Sequence, residues 1–144
     1  MASHRQFSSR AQKLLRFAHD EADLIRARDI SSEHLLLGAL SFGGYLGSAL
    51  CGKSFLSLHT LRDSLGEGRR SASRYSKSTR AILRASEALA RSFGDKRVDA
   101  AHIVLALLRE RKGGASRVLD HFNVSRQVAQ REVCRRLRSR RRPL

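Results

Sequence analysis

The chain repeats itself, and few folds are open to a chain that does. Slid along its own length by 68 residues, it places Phe7-Ser8 over Tyr75-Ser76, Leu14-Leu15-Arg16 over Ile82-Leu83-Arg84 and Ala22 over Ala90. In the same register Ile30 meets Val98, and His34-Leu35-Leu36-Leu37 meets His102-Ile103-Val104-Leu105. Ser48 then meets Ser116, and Leu56-Ser57 meets Val124-Ser125. Apolar falls on apolar with no gap, although identities are few. This is the pattern of an old duplication, so one supersecondary unit is expected twice.

Each copy reads as helices. Ala11, Leu14, Leu15, Ala18, Ala22 and Ile25 keep the i, i+3, i+4, i+7 spacing of an amphipathic helix, and Ala81, Ile82, Ala85, Leu89 and Phe93 repeat it. Ser8 and Ser76 stand at N-cap positions, where a hydroxyl accepts from a free first-turn N–H; Ser31 and Asp99 do the same before LLLGAL and IVLALL. Two further helices, a third and a fourth near 57–65 and 125–139, complete the copies. No run alternates with period two between turns, so no sheet is expected. The only proline, Pro143, leaves nothing inside the chain to break a helix. The reading is all-α: eight helices in two pseudo-symmetric four-helix repeats. Repeat one spans 7–65, GEGRRSASR supplies a linker over 66–74, repeat two spans 75–137 and an Arg-rich tail follows over 138–144.

At 144 residues with 41% apolar content the chain can bury one real core. No stretch approaches about 18 uninterrupted apolar residues, so no membrane span is expected. The N-terminal MASHRQFSSRAQK lacks the apolar centre of a secretory signal, and Cys51 and Cys134 form neither a C-x-x-C nor a metal-ligand spacing. These features suggest a soluble cytoplasmic protein with no metal or cofactor.

One motif invites a catalytic reading. Residues 47–54, GSALCGKS, satisfy G-x-x-x-x-G-K-[ST], in which Lys53 and Ser54 would serve phosphate oxygens and Mg²⁺. Such a loop needs a buried strand before it, whereas LLLGALSFGGYL is Leu- and Gly-rich, and no apolar run ending in Asp holds a metal. The match reads as coincidence. His34 and His102 recur at one repeat position on core-facing helices with no Cys or carboxylate at ligand spacing, so they read as hydrogen-bonded structural histidines. Cys51, opposite Leu119 in the repeat, reads as a small core residue. No catalytic constellation survives, and an enzyme is not expected.

The repeated segments resemble a known family, the double Clp N-terminal (Clp repeat) domain at the front of ClpC- and ClpA-type unfoldases. The family repeat runs F-[ST]-x-R-A-x-x-[LV]-[LI], G-T-E-H-[IL]-L-L-G-L, R-E-G-x-G-x-A-x-x-[VL]-L and G-V-S. Copy one supplies FSSRAQKLL, SSEHLLLGAL and FLS; copy two supplies YSKSTRAIL, DAAHIVLALL, RERKGGASRVL and FNVS. The resemblance covers residues 7 to about 138 in the right order. It implies binding rather than chemistry: family N-domains receive clients and adaptors for an ATP-driven unfoldase and protease. The chain has no room for an AAA+ module, so a free-standing N-domain is expected, acting as adaptor, decoy or competitor.

The resemblance also implies sites. The family's phosphoarginine pocket uses the Glu of G-T-E-H for the guanidinium, with the Thr and Arg of F-T-x-R near the phosphate. Glu33, Ser8 and Arg10 stand at those positions in copy one. Copy two has Ala101 and Ser78 instead of the Glu and Arg, so its pocket is expected to be dead. The bland alternative for Glu33 is a first-turn carboxylate that stabilises its own helix. A groove between the halves, used by some members for adaptors, would be lined by His19, Tyr75, Arg80 and Arg84; position 84 is commonly acidic in the family. The bland alternative there is a solvated helix face.

Charge supplies the competing reading. Lys and Arg number 29 against 13 Asp and Glu, a formal +16, and 24 of the 29 are Arg. Arg138, Arg140, Arg141 and Arg142 cluster at the C-terminus, either as a bland solvated tail or as a polyanion contact. Without interleaved aromatics, nucleic-acid binding through it would be sequence-blind and salt-sensitive.

Overall fold

The long first helix of each copy begins where a serine hydroxyl accepts from a first-turn N–H. Ser8 Oγ accepts from Ala11 N (3.1 Å) ahead of α1 (Ser9–Leu24), and Ser76 Oγ accepts from Thr79 N (3.1 Å) ahead of α5 (Lys77–Ser92). The computed structural model describes residues 6–52, 56–65 and 74–139, and among these it is all-α. The remaining helices are α2 (Ser32–Phe42), α3 (Gly44–Cys51), α4 (Leu58–Ser64), α6 (Ala100–Arg109), α7 (Gly114–His121) and α8 (Arg126–Ser139). Eight helices therefore form two pseudo-symmetric sets of four. Linker residues 66–73 lie outside the described residues.

The two apolar helices, α2 and α6, form the centre. His34 to Leu40 and Ala100 to Leu108 are buried without a break. A helix apolar on all sides needs neighbours all round. α2 packs against α1, α3, α4, α5, α6 and α7, and α6 against α1, α2, α5, α7 and α8. No single helix is long and apolar enough to cross a membrane; α2 and α3 together carry an apolar run, but it bends by 119° between them.

Two isolated parallel bridges fasten the copies, Phe7 with Val98 and Ile30 with Tyr75. Their hydrogen bonds obey the 68-residue repeat: Ser8 N donates to Val98 O (2.8 Å) as Ser76 N does to Ile30 O (3.0 Å). Val98 N donates to Gln6 O (2.9 Å) as Ile30 N does to Arg74 O (2.8 Å). The residues ahead of each long helix thus pair with the opposite copy, at the entrance to its central helix.

The register is not gapless throughout. α1 and α5, α2 and α6, and α4 and α8 start 68 residues apart, but α3 and α7 start at Gly44 and Gly114, 70 apart. Their buried residues run Leu46, Gly47, Leu50 and Ala115, Ser116, Leu119, an offset of 69. A longer turn, 110–113, joins α6 to α7 where Gly43 alone joins α2 to α3. Leu50 rather than Cys51 therefore takes the place of Leu119, and Cys51 is half-buried at the end of α3. Its thiol pKa is pushed up by that burial.

The copies differ most where α4 closes copy one. Glu21 on α1, 5% exposed, accepts from Arg62 Nε on α4 at 3.0 and 3.1 Å and from Arg62 Nη2. In copy two the 68-residue equivalents are Leu89 and Gln130, and no ion pair is made there.

α1 and α2 cross at Gly38. A Cβ there would stand 2.7 Å from Leu14 O and 3.1 Å from Ala18 Cβ, and the neighbouring atoms belong to backbone and a short side chain that cannot swing aside. Overpacking of this kind costs about 1–3 kcal/mol, against about 1 kcal/mol returned by alanine's helix propensity. Gly38→Ala should therefore lower the urea midpoint; a raised midpoint would show that the crossing has slack.

Candidate functional site

The reciprocal pairing decides which residues meet. Ser8, carried onto copy two by the Phe7–Val98 bridge, donates from Oγ to Asp99 Oδ1 (2.9 Å), the N-cap of α6. Arg10 Nε lies 3.7 Å from the same carboxylate oxygen. The Arg10 guanidinium also lies 5.4 Å from the Phe42 ring centre and 5.9 Å from that of Tyr45. Ser8 and Arg10 thus face the start of α6 and the α2–α3 corner.

Glu33 is at the other end of α2. Its side chain lies against the first turn of α7, so closely that a Cβ on Gly114 would overlap its Oε1, Cδ and Cγ. The carboxylate is in the first turn of α2 and beside that of α7, and the positive ends of both helices favour it. Next to it Ser32, fully buried, accepts from Ala115 N at Oγ (3.1 Å), and Ser78 of copy two borders Gly113.

The structure therefore does not bring Ser8 and Arg10 to Glu33, as the resemblance within copy one implies. Phe42 and Glu33 are nine residues apart on α2, about 13 Å along its axis. Because the copies exchange their leading segments, Glu33 shares its surroundings with Ser78, and Arg10 faces the position of Ala101. The three residues expected in one copy-one pocket therefore stand at two places, Glu33 beside Ser32 and the start of α7, and Ser8 and Arg10 beside Asp99. Ser32 and Gly114 were not singled out from sequence, and Asp99 was read only as the N-cap it is, because their contacts across the copies arise only through this exchange.

The groove residues are more scattered. Tyr75 is half-buried in its bridge, and burial raises its phenol pKa. Arg80 Nη1 donates to Tyr75 O (3.2 Å), while Arg84 is exposed one turn further on. His19 stays with Asp23 on its own helix (3.4 Å). No hydrogen bond or ion pair joins His19 to Tyr75, Arg80 or Arg84 among the described residues.

Both repeat histidines close capping boxes. His34 Nδ1 accepts from Ser31 N (2.9 Å), and His102 Nδ1 accepts from Asp99 N (2.8 Å). An accepting Nδ1 leaves the proton on Nε2, and His102 Nε2 donates it to Asp95 Oδ2 (2.9 Å). They are hydrogen-bonded structural residues, as their spacing suggests. The loop-like motif at 47–54 begins inside α3, with Gly47 buried in the helix rather than in a loop after a strand; Lys53 and Ser54 lie outside the described residues. Of the tail arginines, Arg138 is exposed on α8, and Arg140, Arg141 and Arg142 lie outside the described residues.

Comparison with known proteins agrees with this architecture. The Clp repeat (R) N-terminal domain model matches residues 53–122 and, in a second overlapping placement, 74–141. The chaperone protein ClpB of Oceanobacillus iheyensis is 29% identical over 140 residues. The negative regulator of genetic competence ClpC/MecB of Bacillus subtilis is 34% identical over 140 residues. Each comparison takes in 93% of this chain and 17% of the relative, so the chain spans about a sixth of those proteins. Among solved structures, the N-terminal domain of ClpD from Arabidopsis thaliana superposes with a TM-score of 0.75 at 20% identity, covering 95% of this chain and 97% of that one. The Hsp104 N-terminal domain from Candida albicans gives 0.74 at 16%, covering 95% and 94%.

His34 supplies a test of the capping box. Burial lowers its pKa from the ordinary 6.5, with Asp29 and then Glu21 pulling the other way more weakly. The unfolded chain takes up this proton more readily than the folded one, and protonation removes the acceptor from Ser31 N. Stability should be level in this respect above about pH 6.5 and fall as the pH drops below it. His34→Gln keeps an acceptor without the titration, so its urea midpoint should fall less than that of wild type between about pH 7.5 and 5.5. Parallel profiles for the two proteins would remove His34 as the cause.

Proposed function

The chain belongs to the Clp repeat N-terminal domain family, and on that footing we propose that it is a non-catalytic protein-binding module that receives clients or adaptors of a Clp unfoldase. The observation that carries this is the two-copy helical fold with both bridges formed, which supports a rigid receiving surface. The partners of such a module would be Clp unfoldase or protease components, adaptors or client proteins.

The finer reading concerns phosphoarginine-marked clients. Its best-supported location is the Glu33 end of α2. There a carboxylate can pair with a guanidinium in the planar, bidentate manner that arginine favours. The start of α7 stands beside it and favours a phosphate, with Ser78 near Gly113 as a hydroxyl donor, while buried Ser32 holds α7 in place. Arg10 stands at the other half-site and contributes nothing to this one.

Fluorescence anisotropy with a phosphoarginine peptide and a phosphoserine peptide of equal charge tests both levels. Selective binding of the phosphoarginine peptide should weaken about tenfold or more in Glu33→Ala and stay unchanged in Arg10→Ala. Equal loss in both variants would mean that the half-sites act as one pocket. Equal binding of the two peptides, insensitive to Glu33, would reduce the interaction to attraction by the +16 field. The phosphoarginine reading would then be withdrawn while the protein-binding module stood.

A further inference from the structure

Among the described residues α8 is twice the length of α4, its counterpart. Ala129, Val133 and Leu137 bury one face of it. Beside that face Arg131, Arg135 and Arg138 follow at i, i+4 and i+7 along a groove of about 680 Å³ that also takes in Cys134. At Cys134 and Arg138 the groove opens into a second hollow of about 500 Å³, floored by Leu89 and Phe93 and edged by Arg109. The two form a continuous trough, apolar at one end and bordered by guanidinium groups.

The cations are largely unspent. Arg135 shares Glu132 with Arg136 (2.8 and 3.2 Å). Arg109, Arg131 and Arg138 make no ion pair with a carboxylate among the described residues. Several of the chain's own carboxylates are engaged elsewhere: Glu21 with Arg62, Asp99 with Ser8, and Asp120 with Arg126. With a formal +16 on the chain, charge complementarity favours an acidic occupant.

Arginine forks match either carboxylates or phosphates. The floor separates these two. Nucleic acid brings phosphates but no aliphatic group for Leu89, and it would need an open ring to stack on. Phe93 is half-buried and packs against His102 at 6.0 Å and 52°. A peptide with carboxylates on one stripe and an aliphatic side chain on the next satisfies both ends of the trough.

We propose that the trough along α8 docks an acidic amphipathic segment of a partner protein, with its carboxylates on Arg131, Arg135 and Arg138 and an aliphatic side chain on Leu89 and Phe93. This surface is separate from the Glu33 half-site and does not depend on it.

The test uses the full chain and a fluorescein-labelled synthetic helix of about 14 residues, with Glu at i, i+4, i+7 and i+11 and a neighbouring Leu stripe. A scrambled peptide of the same composition and a DNA duplex of about 20 base pairs serve as comparators at about 0.15 M salt. The patterned peptide should bind about tenfold tighter than the scramble, and Arg131→Gln with Arg138→Gln should weaken it by a similar factor. Arg16→Gln with Arg28→Gln removes the same charge from exposed positions on α1 and the turn after it, and should change binding less than about twofold. The peptide should also slow alkylation of Cys134, read by mass spectrometry, without protecting Cys51. Equal binding of the scramble, equal loss in the two double variants, or unprotected Cys134 would each overturn the proposal. So would tighter binding of the duplex with its own dependence on Arg131 and Arg138, which would assign the trough to nucleic acid.

Discussion

Four backbone hydrogen bonds, two at each bridge, hold the relation between the copies, and the rest of the structure is arranged around them. Each is worth only about 0.5–1.5 kcal/mol net. Their effect is positional rather than large. The pairing fixes the residues ahead of α1 against the start of α6 and those ahead of α5 against the start of α2. Four helix entrances are thereby set at once, and each is then locked by a side chain. Ser8 reaches Asp99, Thr79 Oγ1 donates to Ile30 O (2.7 Å), and the two histidines close their capping boxes. Neither copy could keep its leading segment in place alone, since the acceptor and donor backbone for it belong to the other.

Around that common frame the copies have parted in how they end. Copy one finishes with the short α4, held to α1 by Glu21 and Arg62. Glu21 is buried while Arg62 is exposed, so the pair tethers α4 to α1 more than it stabilises the core. Copy two has an apolar Leu89 at the Glu21 position and finishes with a longer helix. α8 crosses to α3, where the Arg136 guanidinium stands 4.9 Å from the Tyr45 ring centre. Arg10 approaches the same ring, so Tyr45 joins α1 to α8 through two cation–π contacts. At the other end of α8, Arg126 donates to Glu110 O, Ser116 O and Asp120 Oδ1 at 2.7 to 2.9 Å and gathers three helices.

Much of the fold was legible because it rests on short-range rules. The spacing of Leu14, Ala18 and Ala22, the serine caps and the doubly apolar LLLGAL and IVLALL need no tertiary knowledge to be read as helices of given burial. The one-residue slip at α3 and α7 was not legible, because Leu50 and Cys51 are adjacent apolar residues and either can be set against Leu119. The site was less legible than the fold for a different reason. A repeat states which positions are equivalent, yet it is silent on whether equivalent segments pack within their own copy or exchange. FSSR against its own SSEH and FSSR against the other copy's DAAH give the same one-dimensional pattern. Only the backbone pairing of Phe7 with Val98 distinguishes them.

That ambiguity has a physical consequence for how such a duplicated site can change. Under exchange, each half-site draws one strip of residues from copy one and one from copy two. Ala101 in copy two leaves Arg10 of copy one facing Asp99 rather than a glutamate, and Ser78 in copy two stands where the repeat would bring an arginine toward Glu33. Freed of a cationic neighbour from the opposite strip, Glu33 turns to what remains there, the first turn of α7, and Gly114 leaves the room for it. A carboxylate between two helix N-termini is a stable arrangement in its own right. The guanidinium ligand proposed for this place would meet a carboxylate that two helix ends already favour, and selectivity would rest on how much better a planar cation satisfies it than they do.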